Sequence, residues 1–345
     1  MGRTSLAALL LVAALFIYPG APGGTDLRAQ SAPAEAPQPF DDWLAALMLE
    51  ARDRGFSDAL LNETVAELRP LDRVLDNDRA QAELSPGFRR YLSARLTKAM
   101  VDRGRELSRQ HSSLLAGVEK EFQVQRRFLL AIWGLETRYG RLTGNTPVFQ
   151  ALATLAWEPR RSSFFRGELF DALTMVQRGH IEAASMTGSW AGAMGQPQFM
   201  PSSYLQYAVD FDGDGRRDIW RSTGDALASM ASYLKAAGWN GQQTWGREVR
   251  LTSAARAKIE RAIPKRTEGC YARRNMTERR PLPEWQAIGV RLVNGSPLPA
   301  ADLDAGLVDV GERTFLVYPN YDAILAYNCA HYYALTVALL SERLR

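Results

Sequence analysis

The stretch "RRFLLAIWGLETRYGR", Arg126 to Arg141, decides how this chain is read. Phe128, Leu129, Leu130, Ile132, Trp133 and Leu135 leave it almost no polar face, so it predicts a helix over 127–139 that is buried all round. In the last turn of that helix stands a carboxylate, Glu136. Its neighbours at three and four residues, Ile132, Trp133, Tyr139 and Gly140, include no cation. Arg138 lies two places on and points elsewhere. Gly140 is the expected stop, which sets Glu136 near the negative end of the helix dipole. Burial and dipole act together: both disfavour the ionised form and raise the pKa. Such a carboxyl keeps its proton near neutral pH and can pass it to a leaving-group oxygen. Read alone, a buried glutamate is more often structural, paired with an arginine from another segment.

Outward from this helix the pattern stays helical. "FDDWLAALMLEARDRG" sets Phe40, Trp43, Leu44, Leu47 and Met48 on one face, and "DALLNETVAEL" and "PGFRRYLSARLTKAMVDRGRELSRQHSSLLAGVEKEF" continue the period. From about 246 the runs shorten and alternate. "REVRL", "AIGVRLVNG" and "RTFLVYP" sit between Gly and Pro turns and predict a small sheet. "YDAILAYNCAHYYALTVALLSERLR" predicts a closing helix that returns its apolar face to the helical core. The expected fold class is mainly α (α+β). The expected layout is an N-terminal helical domain over 40–120, a catalytic core over 121–245, a small β subdomain over 246–318 and a C-terminal helix over 319–345.

The first residues read as an export signal. "MGRTSLAALLLVAALFIY" carries one Arg and then an apolar run too short to cross a bilayer comfortably, followed by "PGAPGG". Cleavage after Ala29 fits the small-residue rule and Ala21 also fits. A signal peptide over 1–29 and a disordered Pro/Ala linker over 30–39 are therefore expected. No cysteine follows the apolar run, so a lipoprotein is not expected. The chain has 345 residues, 46% of them hydrophobic and 23% charged, with a net charge of +4. A core of that size needs no metal or disulfide to fold. The weak positive charge suits an acidic wall polymer, and no basic stripe with interleaved aromatics argues for nucleic acid. In an exported chain the two cysteines, Cys270 and Cys329, are expected to pair, two free buried thiols being the alternative.

A second segment, "GSWAGAMGQPQFMPSSYLQYAVDF", runs from Gly188 to Phe211. Gly188, Gly192 and Gly195 leave backbone bare, Ser189, Gln196 and Gln198 offer neutral hydrogen-bonding groups, and Trp190, Phe199, Tyr204 and Tyr207 offer flat faces. A neutral polymer of pyranose rings asks for that mixture. A close helix contact with aromatics in the core explains it equally well. Pro201-Ser202-Ser203 looks like another helix start.

Together, "GLETRYGRLTGNTPVFQALATLAW", "RRSSFFRGEL", "GSWAGAMGQPQFMPSSYLQYAVDFDGDGRRDIW" and a closing "YN…YALTVALLSERL" resemble the B-type family of lytic murein transglycosylases, over roughly residues 40–345. The resemblance implies a lysozyme-like helical core and cleavage of the β-1,4 bond between N-acetylmuramic acid and N-acetylglucosamine in peptidoglycan. It implies an intramolecular transfer that ends in 1,6-anhydro-muramic acid, with no cofactor for the chemistry. Glu136 matches the family's single catalytic acid. Ser189, Gln198, Tyr233, Tyr327 and Asn328 match positions lining the saccharide groove, and Tyr91 is a further match. Phe164 stands where some relatives have Tyr. The implied partners are glycan strands and the cell-wall synthesis or division machinery, for a monomeric periplasmic protein. A muramidase that uses water and a non-catalytic wall-binding protein are the competing readings.

"DFDGDGRRDIW" opens like an EF-hand calcium loop: Asp210, Asp212 and Asp214 alternate, Gly215 is sixth, Arg216 seventh and Asp218 ninth. The twelfth place holds Arg221, which cannot coordinate. Some members of the family carry a late Asp beyond that place, and Asp225 is its candidate here. A structural Ca²⁺ away from the chemistry is the expectation, and a metal-free Asp/Gly turn the alternative.

Overall fold

The computed structural model describes residues 38–83 and 87–345, so the expected signal peptide and most of the linker lie outside the described residues. Sixteen α-helices occupy most of what is described, with one small five-stranded sheet, as the hydrophobic pattern predicts, and one two-stranded pairing elsewhere. No single helix among the described residues is long and apolar enough to cross a membrane.

The helix Arg126–Thr137 sits at the centre, with Phe128, Leu129, Leu130, Ala131 and Ile132 fully buried. It packs against Lys98–Gln110, Ser112–Phe122, Thr223–Ala236 and His331–Arg343. It stops two residues earlier than expected, because Arg138, Tyr139 and Gly140 all adopt positive φ, at 50°, 63° and 79°. For an L-residue each such turn costs about 1–2 kcal/mol. Tyr139 offsets that cost by burying its ring over the bare backbone of Gly104 and Gly134 and donating its hydroxyl to Met100 O at 2.9 Å.

One continuous hydrophobic cluster runs from Phe40 to Leu344 and holds the N-terminal helices as well as the central ones. Residues 40–120 therefore share their core with the helices that follow. A second, smaller cluster of Val249, Ile259, Ile263, Leu282, Trp285, Leu307 and Leu316 fills the β region. Its five-stranded antiparallel sheet runs in the order Arg280–Pro281, Asp304–Val310, Arg313–Val317, Gly246–Arg250, Arg291–Leu292. Of the segment read as the strand "AIGVRLVNG", only Arg291–Leu292 pairs, since Leu282–Ile288 is helical and ends at Gly289 with φ 113°. The strand Asp304–Val310 takes its place beside Arg313–Val317.

The C-terminal segment is not one helix. Pro319–Tyr327 and His331–Arg343 meet at 117°, with Asn328 and Ala330 in extended backbone between them. Cys329, in that break, is bonded to Cys270, with Cα atoms 6.3 Å apart and 59 residues between them in sequence. Closing a loop of that length removes chain entropy worth up to about 4 kcal/mol from the unfolded state. Reduction under native buffer is expected to lower the denaturant midpoint accordingly. An unchanged midpoint would show that the bridge adds nothing to stability.

Candidate active site

Glu136 is 9% exposed and lies one residue before the end of its helix. The Tyr333 hydroxyl donates to its Oε1 at 2.5 Å. Among the described residues no cation pairs with it, and Arg138 is exposed to solvent. Burial pushes its pKa up to about 7, against the smaller, lowering effect of the Tyr333 hydrogen bond. No second carboxylate contributes to that shift. The carboxyl is thus poised to hold a proton near neutrality and release it.

The loop after this helix is laced to the segment 188–200. Thr137 Oγ1 donates to Gln196 O at 3.0 Å and accepts from Gly140 N at 3.0 Å. Gln198 is held at φ 54° and its Nε2 donates to Thr143 O and Gly195 O, while its buried Oε1 has no partner among the described residues. A buried acceptor left empty costs about 1–3 kcal/mol, which a ligand donor would recover. Ser189 begins a tight turn: its Oγ accepts from Ala191 N and Ala193 N, leaving the hydroxyl proton to be donated elsewhere. Short strands Thr146–Pro147 and Thr187–Gly188 pair across this junction.

The aromatic wall comes from two helices. Tyr233, on Thr223–Ala236, donates to Ala326 O at 2.6 Å, and Tyr327 donates to Pro197 O at 2.7 Å. Their rings lie 4.9 Å apart, and Phe199 packs on both. Asn328 follows Tyr327 into the break and is 6% exposed. The Glu136 charge raises the Tyr327 and Tyr91 pKa values in addition to burial, so both hydroxyls lie within its electrostatic reach. Tyr91 also packs on Tyr332 at 5.6 Å, under the Arg95 guanidinium. Phe164 lies on Ser162–Gln177, packed against the main core with its ring 5.1 Å from that of Phe165.

Residues 39–342 match the family described as the transglycosylase SLT domain. The chain belongs to the lytic transglycosylase family. It is 32% identical over 303 residues to the membrane-bound lytic murein transglycosylase B of Escherichia coli (strain K12), covering 84% of this chain and 78% of that one. The crystal structure of SltB3 from Pseudomonas aeruginosa in complex with NAG-anhNAM-pentapeptide superposes with TM-score 0.80 at 41% identity, over 89% of this chain and 80% of that one. The E. coli lytic transglycosylase Slt35 in complex with calcium gives TM-score 0.71 at 30% identity, over 89% and 92%.

Two groups in this transglycosylase escaped the sequence reading. Tyr333 was hidden because the apolar run 321–345 reads as one helix, and only the break at 328–330 turns its hydroxyl to Glu136. Glu168, 4% exposed, accepts from Ser202 N and Ser202 Oγ and caps the helix Pro201–Tyr207. Burial raises its pKa, with Asp171 adding to the rise, but it makes no contribution at Glu136. It braces the glycine-rich segment from behind.

In the aspartate loop, ligand oxygens of Asp210, Asp212 and Asp214 lie within 4.8 Å of one another. Asp210 accepts from Gly213 N and Gly215 N, and Asp214 from Arg216 N, which aims the carboxylates inward. Asp218 caps Trp220 N and Arg221 N, while Asp225 accepts from Phe211 N and Asp218 N. Those two lie outside the cluster of three and brace the loop at both ends.

Proposed function

We propose that this transglycosylase cuts the β-1,4 bond between N-acetylmuramic acid and N-acetylglucosamine in peptidoglycan, with Glu136 as acid and then base. The observation that carries this is a buried carboxyl with pKa about 7 that, among the described residues, has no counter-cation and is bonded only to a tyrosine hydroxyl. Most glycosidases need two carboxylates at roughly 5–9.5 Å separation, and none perturbs Glu136. Glu136 gives its proton to the glycosidic oxygen, and the bond from muramic C1 to that oxygen breaks. The N-acetylglucosamine leaves as the alcohol. The substrate's own N-acetyl carbonyl steadies the cationic C1. Ionised Glu136 then takes the proton of the C6 hydroxyl, whose oxygen closes onto C1. The product end is a 1,6-anhydro ring, no water is consumed, and Glu136 is protonated again. The anhydro product held in the SltB3 structure supports this outcome.

Gln198 Oε1 and the Ser189 hydroxyl supply an acceptor and a donor for acetamido or hydroxyl groups, and Tyr233, Tyr327 and Asn328 the facing wall. Mass spectrometry of products from purified sacculi tests the reading. Ends one water lighter than reducing muramic acid are expected. Reducing ends would make the enzyme a muramidase, and no release at all would leave a binding protein. Replacing Tyr333 with Phe removes the bond that favours ionised Glu136. The descending limb of kcat/KM against pH is expected to move up by about one unit, some 1.4 kcal/mol. A limb that stays put would show that Glu136 is not the group titrating.

We further propose that the aspartate loop holds a structural Ca²⁺ between Asp210, Asp212 and Asp214, with the Arg216 carbonyl in the seventh place. Like charges this close repel, and a bound dication removes the repulsion. At a hundredfold excess over Kd, calcium is expected to stabilise the fold by about 3 kcal/mol over chelator. Identical melting midpoints would remove the site. The site of action proposed is the periplasm, where the substrate lies and the Cys270–Cys329 bridge persists.

A further inference from the structure

Cys329 stands at the elbow where Pro319–Tyr327 and His331–Arg343 meet at 117°. The tyrosines on either side of it make two of the bonds that shape the site. Tyr327, two residues before, donates to Pro197 O at 2.7 Å, and Tyr333, four residues after, to Glu136 Oε1 at 2.5 Å. The second arm has a weak start. Its N-cap, Ala330, makes no side-chain hydrogen bond, so the free amides of the first turn lack the acceptor that Ser, Thr, Asp or Asn would bring. Tyr333 is the third residue of that helix, within the turn where fraying begins. Further along, Leu335, Val337, Ala338 and Leu340 are fully buried, and packing alone fixes the helix there.

The first turn is held from outside. Tyr332 packs on Phe88 and Tyr91, at 5.3 and 5.6 Å, and His331 shares a hydrogen bond with the Tyr321 hydroxyl at 3.0 Å. Cys329, just ahead of that turn, is bonded to Cys270, the one covalent tie among these contacts. The far end of the bridge is itself fixed. Cys270 lies in a turn that closes on itself through Arg266 N to Met276 O at 3.0 Å and Glu278 N to Pro264 O at 2.8 Å. Arg266, Arg273 and Arg279 of that turn converge on Asp322, which belongs to the first arm, Pro319–Tyr327. The bridge therefore runs from a post clamped to the first arm to the foot of the second, and constrains the angle between them.

We infer that Cys270 and Cys329 are positioning residues for the Glu136 site: their bridge does the work of the absent helix cap and holds the first turn of His331–Arg343 so that the Tyr333 hydroxyl stays on Glu136. This rests on the reading of Glu136 as acid and base above. Among the described residues, the groups facing Glu136 are Tyr333 from this helix, Tyr327 from the first arm and Tyr91 from Phe88–Arg95, with the Arg95 guanidinium over the Tyr91 ring. Only Tyr333 is bonded to Glu136, so a loosened first turn removes the one contact that favours its ionised form. The bridge then acts on the acid through one hydroxyl, 197 residues away from it in sequence.

The test opens the bridge in the folded enzyme with a small dithiol, whose two hydrogens pass to the cysteine sulfurs as it closes to its own disulfide. The double variant Cys270→Ser/Cys329→Ser is a second route to the open state. Below the melting midpoint of the open form, the descending limb of kcat/KM against pH is expected to move up by about half a unit, part of the shift expected for Tyr333→Phe. In Tyr333→Phe, opening the bridge is expected to leave the limb in place, since the bond through which it acts is already gone. Hydrogen exchange reads the same event without turnover. Amides of Ala334 to Val337, bonded to carbonyls at the helix start, are expected to exchange about tenfold faster in the open form, and those near Arg343 at an unchanged rate. A bridge that serves stability alone would lower the melting midpoint and move neither the limb nor these amides, which overturns the proposal. A shift that adds in full to that of Tyr333→Phe overturns it too. If Tyr333→Phe itself leaves the limb in place, the reading of Glu136 falls, and this inference with it.

Discussion

Replacing Glu136 with glutamine is expected to lower turnover by about three to four orders of magnitude, the upper range for loss of a general acid, while the same change stabilises the protein at alkaline pH. The two effects share one cause. A carboxyl whose folded pKa is about 7 and whose unfolded value is about 4.3 binds more protons in the folded state between those limits. The stability it contributes relative to an ionised group is fully present below the unfolded pKa. It is lost as pH rises through the folded pKa, because ionised Glu136 is then buried with only Tyr333 to solvate it. The loss amounts to about 3–4 kcal/mol above pH 8. Glutamine carries no charge at any pH and avoids it. Melting midpoints of the two proteins are therefore expected to coincide near pH 4 and to separate at pH 8–9, with the variant higher. Activity of the wild type should fall as pH rises through about 7, where the acid loses its proton. A variant that keeps substantial turnover removes Glu136 from the acid's role. A variant no more stable than wild type at pH 9 shows that the carboxyl is not held in a desolvated site.

How much of this was legible beforehand depends on whether the information is local. The solitude of Glu136 was local: its neighbours at helical spacing are visible in the string, and none is a cation. The carboxylate triad of the aspartate loop is local too, since alternate residues of one turn converge without help from elsewhere. Tyr333 was not legible. Apolar periodicity runs on from Tyr321 to Leu344, and nothing in it marks extended backbone at Asn328 and Ala330, which tertiary packing and the bond at Cys329 enforce. Glu168 was invisible for a related reason: its partner, the helix start at Ser202, is 34 residues away. That the helices of 40–120 share a core with those that follow was not legible either, because a helical apolar face looks the same whether it packs on its own neighbours or on a shared core. Asp304–Val310 lacks clean alternation because both faces of that strand are largely covered, and a strand buried on two sides does not alternate.

Gly144→Ala is the other change expected to have a large effect, and it acts on no functional group at all. Gly144 has φ 89°, and a methyl built on it would stand 2.1 Å from Gly188 O and 2.7 Å from Ser189 N. Gly188 in turn has Ala193 O 2.2 Å from where its own methyl would be. Three backbones thus lie on one another with no side chain between them, at the place where the loop after the Glu136 helix meets the glycine-rich segment. The flanking residues are the ones proposed to hold the sugar: Gln198 Nε2 bonds to Thr143 O at 3.0 Å, and Ser189 N to Ala193 O at 2.7 Å. A methyl here meets only backbone, so relief requires the two segments to part. Left-handed strain and overpacking together are expected to cost about 3–5 kcal/mol. The parting displaces Ser189 and Gln198 from Glu136, and about 1 Å of misplacement lowers kcat/KM roughly a hundredfold. Gly167, exposed in the middle of a helix with nothing within 4 Å of a new methyl, is the control. Gly167→Ala is expected to leave kcat/KM unchanged and to raise stability by about 0.5–1 kcal/mol. If Gly144→Ala melts and turns over like the wild type, close backbone stacking is not what sets the width of the groove, and the glycines of "GSWAGAMGQPQF" need another explanation.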